Sequence, residues 1–159
     1  MIFILKTAQF LGLAISLGAI VFFSFFAAPA IFQALAKEQA GEVISAVISR
    51  YYVLTIACGL VAVASAVLLG LRPEGRGVFD LVKTVLLMLM LAATLYGGVV
   101  LHPKIRSVKS EMRTAAAPET RAQLEAVFAG LHRRSVLANG AALACGLGTA
   151  LLLASRFPS

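Results

Sequence analysis

The sequence predicts an all-α integral membrane protein: a four-transmembrane-helix antiparallel bundle with amphipathic surface helices in the two loops on one side. Two observations lead to this fold class. Of the 159 residues, 60% are hydrophobic and only 13% are charged, whereas soluble domains carry about 25% charged residues. Four apolar runs also reach the length of a membrane span. The third of them, 84–103, has no formal charge, and a helix of about 20 residues extends about 30 Å, the thickness of a bilayer core.

The composition fits one transmembrane domain, 1–159. A soluble chain of this size could not bury so much apolar surface, because its surface is large relative to its volume. The formal charge is +7, from 14 basic and 7 acidic residues. Half of the basic residues lie in one segment between the third and fourth spans. Membrane topology and attraction to anionic lipid headgroups explain that distribution, so we do not expect a nucleic-acid partner.

The first half of the chain contains two spans and one amphipathic helix. We place the first span at about 10–32, and we expect Pro29 to break its helix because proline lacks a backbone donor. Apolar residues at i, i+3, i+4 and i+7 predict an amphipathic helix at about 38–50, which leads into the second span at about 51–71. Both spans carry stripes of small residues, which allow close helix packing in lipid. The stripes comprise Ala8, Gly12 and Ser16, and then Gly59, Ala62, Ala66 and Gly70.

Two tyrosines, Tyr51 and Tyr52, stand at the start of the second span. Tyrosines at the ends of spans typically place the ring among lipid headgroups and the hydroxyl in water. We therefore expect both side chains to mark the membrane interface.

The second half of the chain begins with the breaker-rich segment 72–77, which predicts a tight turn. The predicted elements after it are the third span at about 79–101, amphipathic helices at about 105–116 and 118–134, and the fourth span at about 135–155. Pro118 suits the first turn of a helix, where its missing N–H would be unpaired anyway. We expect Arg156 to anchor the end of the fourth span.

Basic residues on the two sides of the membrane predict the orientation. Four spans place both chain ends on one side, and nine of the 14 basic residues fall on the other side, mostly in the loop 102–134. The positive-inside rule then places this loop in the cytoplasm. For a bacterial protein the membrane would be the cytoplasmic (inner) membrane.

The candidate functional residues lie around the basic loop. His102 and His132 bracket it, each next to the end of a span, and so share one side of the membrane. On a helix that runs into the fourth span, His132, Ser135 and Asn139 are spaced i, i+3 and i+7 and share a face. Because a buried amide needs a polar partner, we expect Asn139 to face other helices. The predicted cluster is His102, His132, Ser135 and Asn139, with Pro29 as a helix break.

The two histidines make a metal or haem site the first functional hypothesis. Imidazole is the commonest metal ligand in proteins, and His102 and His132 could coordinate a metal ion or act as axial ligands of a haem. They are too few for a closed zinc site, which takes four ligands. The alternative is that both are residues of the membrane interface.

Two further roles fit the sequence. The protein could transport a small molecule, although no charge lies in the middle of a span, where coupling sites usually occur. It could instead be a structural or assembly partner of another membrane protein or of a second copy of itself, since small-residue stripes and surface helices suit such contacts. An enzyme is not favoured, because the sequence shows no nucleophile–base pair, no paired carboxylates in a span and no phosphate-binding loop.

A set of residues spread over most of the chain carries a family resemblance. They are Ala28-Pro29, Phe32, Leu35, Ala40-Gly41, Tyr51-Tyr52, His102-Pro103, Phe128, Leu131, His132, Ser135 and Asn139. In their order and spacing the sequence resembles domain of unknown function 4149, a group of small four-helix membrane proteins that includes the eukaryotic transmembrane protein 205. The resemblance implies the architecture above. The family also looks like a distant relative of copper-resistance membrane bundles and of a haem-biosynthesis oxidase, which implies metal or haem binding by analogy of fold.

Overall fold

The computed structural model describes residues 1–72 and 77–155, which form helices with short connections. Four helical stretches are long and apolar enough to cross a membrane: Ile2–Ala34, Glu38–Gly70, Val78–Thr114 and Pro118–Ala154. They pack together, so the predicted fold class, an all-helical four-span integral membrane protein, is confirmed. The predicted turn at 72–77 and the anchor at Arg156 fall largely on 73–76 and 156, outside the described residues.

The elements have the following bounds. They are α1 (Ile2–Val21), a first π-helical segment (Phe22–Ala27), α2 (Ala28–Ala34), α3 (Lys37–Gly70), α4 (Val78–Leu95), a second π-helical segment (Tyr96–Leu101), α5 (His102–Thr114) and α6 (Pro118–Ala154). One continuous helix, α3, therefore covers both the predicted amphipathic helix and the second span. In the same way α6 covers the second predicted loop helix and the fourth span.

The helices close into a ring in the order α1, α3, α4, α6, and each packs against its two neighbours. Small residues set the closest approaches. A Cβ atom added to Gly12 of α1 would lie 2.6 Å from the carbonyl oxygen of Cys58 on α3. A Cβ atom added to Gly146 of α6 would lie 2.6 Å from Leu17 of α1 and 3.1 Å from Met90 of α4. The small residues thus hold backbones together where lipid supplies no hydrophobic driving force.

The outer faces of the bundle are apolar. Large side chains remain exposed along every span, among them Phe3, Phe22, Leu81, Leu137 and Leu151. A soluble helix keeps its exposed face polar, whereas a helix that is apolar all round is buried in protein or in lipid. Lipid is therefore the solvent of these faces.

Each π-helical segment ends just before a proline. The N–H of Ala28 donates to the carbonyl of Phe23, and the N–H of His102 donates to the carbonyl of Gly97, both five residues back. In an α-helix the rings of Pro29 and Pro103 would clash with the carbonyls four residues earlier, which lie within these widened turns. The expected break at Pro29 therefore takes the form of a π-helical turn, after which α2 continues to Ala34.

Candidate functional site

A cavity of about 630 Å³ lies at the end of the bundle that carries the basic loop. Its walls come from α2 and the first π-helical segment, from the first half of α3, from α5 and from the middle of α6. Small-molecule sites in proteins usually have volumes of about 300–1,000 Å³. The cavity is thus large enough for a ligand and larger than a packing defect.

The structure brings all the residues singled out in the sequence to this cavity. His102, His132, Ser135 and Asn139 line it, and so does Pro29. The shared face of His132, Ser135 and Asn139 on α6 turns towards the cavity because α6 is one unbroken helix through all three positions. His102 reaches it from the start of α5.

A polar network forms part of the cavity wall. The Tyr51 hydroxyl donates to Asn139 Oδ1 over 2.6 Å, and Asn139 Nδ2 donates to Ser24 Oγ over 2.8 Å. Three helical stretches are joined in this way, and the expectation that Asn139 faces other helices is confirmed. The amide oxygen and one amide hydrogen are both paired, so this wall does not require a polar ligand.

The expected interfacial position of Tyr51 and Tyr52 is wrong. Their side chains are only 8% and 7% exposed and belong to the core. The Tyr51 ring stacks on Phe23 with centroids 5.1 Å apart, and the Tyr52 hydroxyl lies 3.5 Å from Ser135 Oγ, at the limit of a hydrogen bond. Both hydroxyls find partners inside the bundle, and this removes the need for contact with water.

The second π-helical segment makes room for Tyr52. Cβ atoms added to Gly97 and Gly98 would lie 2.8 and 2.9 Å from atoms of the Tyr52 side chain. Only glycine therefore allows the ring to lie against this backbone. The sequence showed the glycine pair near the exit of the third span, but its partner 45 residues away was not visible in any local pattern.

The two histidines have different surroundings. The His102 ring packs at a tilt against Tyr52, with centroids 5.8 Å apart, and its Nε2 atom is buried without a hydrogen-bond partner in the described part of the chain. His132 is exposed and stacks on Phe128 with centroids 6.1 Å apart and an angle of 6°. No group of three or more His, Cys, Asp and Glu side chains that could hold a metal occurs within 1–72 and 77–155.

Two basic side chains of α5, Arg106 and Lys109, also line the cavity. Lys109 Nζ donates to the Gly41 carbonyl over 2.6 Å and to Ser45 Oγ over 3.3 Å, and so ties α5 to the first half of α3. Both residues lie in the predicted amphipathic helix at about 105–116 and were not singled out from the sequence. Their spacing of three residues puts them on one face of that helix.

The cavity is open at the surface of the bundle. Phe25 and Phe32 on one wall and Val136 on the other line it while remaining 62%, 56% and 57% exposed. Arg106 and His132 also line it and are exposed as well. The opening therefore combines large apolar side chains with two basic ones.

The family comparison covers the part of the chain before α6. The family model described as domain of unknown function (DUF4149) matches residues 11–114. That range includes Tyr51, Tyr52, His102, Arg106 and Lys109 but ends before α6. No curated protein and no solved structure matches the chain. Since the match spans more than half of the 159 residues, the chain belongs to the DUF4149 family of proteins.

Proposed function

We propose that the protein binds a small amphipathic molecule that enters the cavity sideways from the membrane. The observation that carries this proposal is a ligand-sized cavity, mostly apolar, that is lined by the exposed apolar side chains of Phe25, Phe32 and Val136. Binding pockets for small molecules are typically apolar with a few convergent polar groups. Here those groups are His102, Arg106, His132 and Ser135, in or beside the opening.

Helix packing supports a cavity that is present before a ligand arrives. One wall is fixed by hydrogen bonds from Tyr51 to Asn139 and from Asn139 to Ser24. Another wall is fixed by Lys109, which holds the Gly41 carbonyl. A preformed site loses less side-chain entropy on binding than one that must be ordered.

Filling the cavity from Gly140 gives the direct test. Gly140 lines the cavity, and a Cβ atom added there meets no atom within 4 Å. We expect Gly140→Phe to fold normally and to weaken binding of dodecanol, a neutral single-chain probe, by about tenfold or more, since about 1.4 kcal/mol of lost contacts suffices for that factor. Native mass spectrometry of the protein in lipid nanodiscs, titrated with dodecanol, measures the bound fraction.

Gly130→Phe is the matched control. Gly130 lies on the same helix, also has no atom within 4 Å of an added Cβ, and does not line the cavity. Dodecanol binding should remain at the level of the unaltered protein in this variant. Equal binding in the two phenylalanine variants would contradict the proposal.

A haem or a metal ion is the second candidate, because His102 and His132 line one cavity. The resemblance to copper-resistance bundles supports it. Haem is itself an apolar ring with acidic groups, so the basic cavity lining also suits it. We expect haem added to the protein in mild detergent to give a Soret band that shifts in both His102→Ala and His132→Ala. A spectrum unchanged in both variants, or copper and iron contents unchanged by both, would exclude this candidate.

The orientation remains part of the proposal. Arg106, Lys109, Arg133 and Arg134 lie at the end of the bundle that carries the cavity. By the positive-inside rule this end faces the cytoplasm of a bacterial cell, where the same side chains can contact anionic headgroups of the inner leaflet.

A further inference from the structure

Four side chains with basic groups line the cavity. They are His102, Arg106, Lys109 and His132, and no Asp or Glu lines the cavity among the residues that the structure describes. Arg106 and Lys109 stand three residues apart on α5, and like charges in a partly apolar surrounding repel one another more strongly than in water. An anion in their midst would offset that repulsion.

Lys109 and Arg106 differ in the contacts that their side chains already make. The Lys109 ammonium is engaged with Gly41 and Ser45 and acts as a tie between helices. Arg106, three residues earlier and so on the same helical face, is exposed and makes no ion pair with any described residue. Its guanidinium has five donors in a fork that fits a carboxylate or phosphate.

His102 lies four residues before Arg106 and thus on the same face of α5, one turn deeper. Its Nε2 atom is buried and has no partner within the described ranges. A buried polar atom without a hydrogen-bond partner is destabilising. A ligand oxygen bound by Arg106 could therefore also form a hydrogen bond with His102 Nε2, one turn away on the same face of α5.

We infer that the ligand is a single-chain amphiphile with an anionic head, a carboxylate or a phosphate. The head lies between Arg106 and His102, and the chain runs along α6 towards Leu143. The eleven-residue rise from His132 to Leu143 corresponds to about 16 Å at 1.5 Å per residue, long enough for a medium-length alkyl chain. The wall formed by Tyr51 and Asn139 needs no polar ligand beside such a chain, because these two side chains are hydrogen-bonded to each other. This inference rests on the proposed function, since it names the class of ligand for the same cavity.

The test compares three probes of equal chain length: dodecanoate, dodecyl phosphate and dodecanol. Each is titrated by native mass spectrometry into the protein in nanodiscs of phosphatidylcholine, at a pH of about 8, where carboxylate and phosphate are ionised. We expect Arg106→Gln to weaken the binding of at least one anionic probe by about tenfold and to leave the binding of dodecanol unchanged. The anion with the larger loss identifies the preferred head.

Arg134→Gln is the control for loss of one charge. Arg134 is exposed and lies outside the cavity lining. Its replacement should therefore leave the binding of all three probes unchanged. The inference is overturned if neither anion binds more tightly than dodecanol, or if Arg106→Gln and Arg134→Gln have equal effects. Failure of the proposed function is distinguishable: in that case Gly140→Phe would change the binding of none of the probes.

Discussion

Replacing Asn139 by alanine is expected to lower the free energy of unfolding by about 2 kcal/mol, near the upper limit for interhelical hydrogen bonds in membrane proteins. The amide joins Tyr51 of α3 to Ser24 of the first π-helical segment through bonds of 2.6 and 2.8 Å. Without it, the Tyr51 hydroxyl loses its acceptor in a side chain that is only 8% exposed. Unfolding by sodium dodecyl sulfate in mixed micelles measures the change.

A double-mutant cycle with Tyr51→Phe separates the hydrogen bond from the loss of volume. If the bond accounts for the effect, Asn139→Ala should cost less in the Tyr51→Phe background than alone. Ser135→Ala is the control on the same helix, because its oxygen lies 3.5 Å from the Tyr52 hydroxyl, and we expect a change below about 0.5 kcal/mol. If Asn139→Ala and Tyr51→Phe lower the free energy of unfolding additively, the hydrogen bond between these two side chains does not account for the effect.

Replacing Gly12 by leucine is expected to destabilise the bundle by about 3 kcal/mol, the upper part of the range for overpacking. The added Cβ would lie 2.6 Å from the Cys58 carbonyl oxygen, and Ala62 would be 3.2 Å away. A backbone oxygen inside a helix cannot turn aside as the end of a long side chain can. The α1 and α3 helices must therefore separate along their contact.

Gly18→Leu makes the same change six residues further along α1, where nothing lies within 4 Å of an added Cβ. This variant should be unchanged or more stable by up to about 1 kcal/mol, because leucine favours a helix over glycine. Detergent unfolding curves of both variants decide the point. Similar stabilities for Gly12→Leu and Gly18→Leu would show that α1 and α3 are not held at this distance.

The four spans could be predicted because a helix that crosses lipid must be long and apolar, and such runs are recognisable from local composition alone. The grouping of His132, Ser135 and Asn139 could be predicted from helical spacing alone. His102 joined them because two segments that flank one loop must emerge on the same side of a membrane. These inferences need only helix geometry and topology.

Other features depend on contacts between distant parts of the chain. Tyr51 and Tyr52 occur where interfacial tyrosines usually stand, but in the core their hydroxyls have partners on α6, more than 80 residues later in the chain. The sequence predicted a third span that ends at about 101 and a separate helix from about 105, whereas the widened turn before Pro103 lets one helical stretch run on to Thr114. That continuation carries Arg106 and Lys109 to the cavity, which is why charge counting alone did not reveal them.

The two π-helical segments also determine the direction, around the helix axis, in which the side chains after them point. A widened turn holds one more residue than an α-helical turn, and one residue corresponds to about 100° of rotation about the helix axis. His102 and the face of α5 that follows it point into the cavity because of that extra residue. A family member with one residue fewer between Tyr96 and Leu101 would keep four spans of the same length and the same apolar exterior. It would nonetheless present a different set of side chains to its interior. Members with the same arrangement of helices can therefore differ in the ligand that they bind.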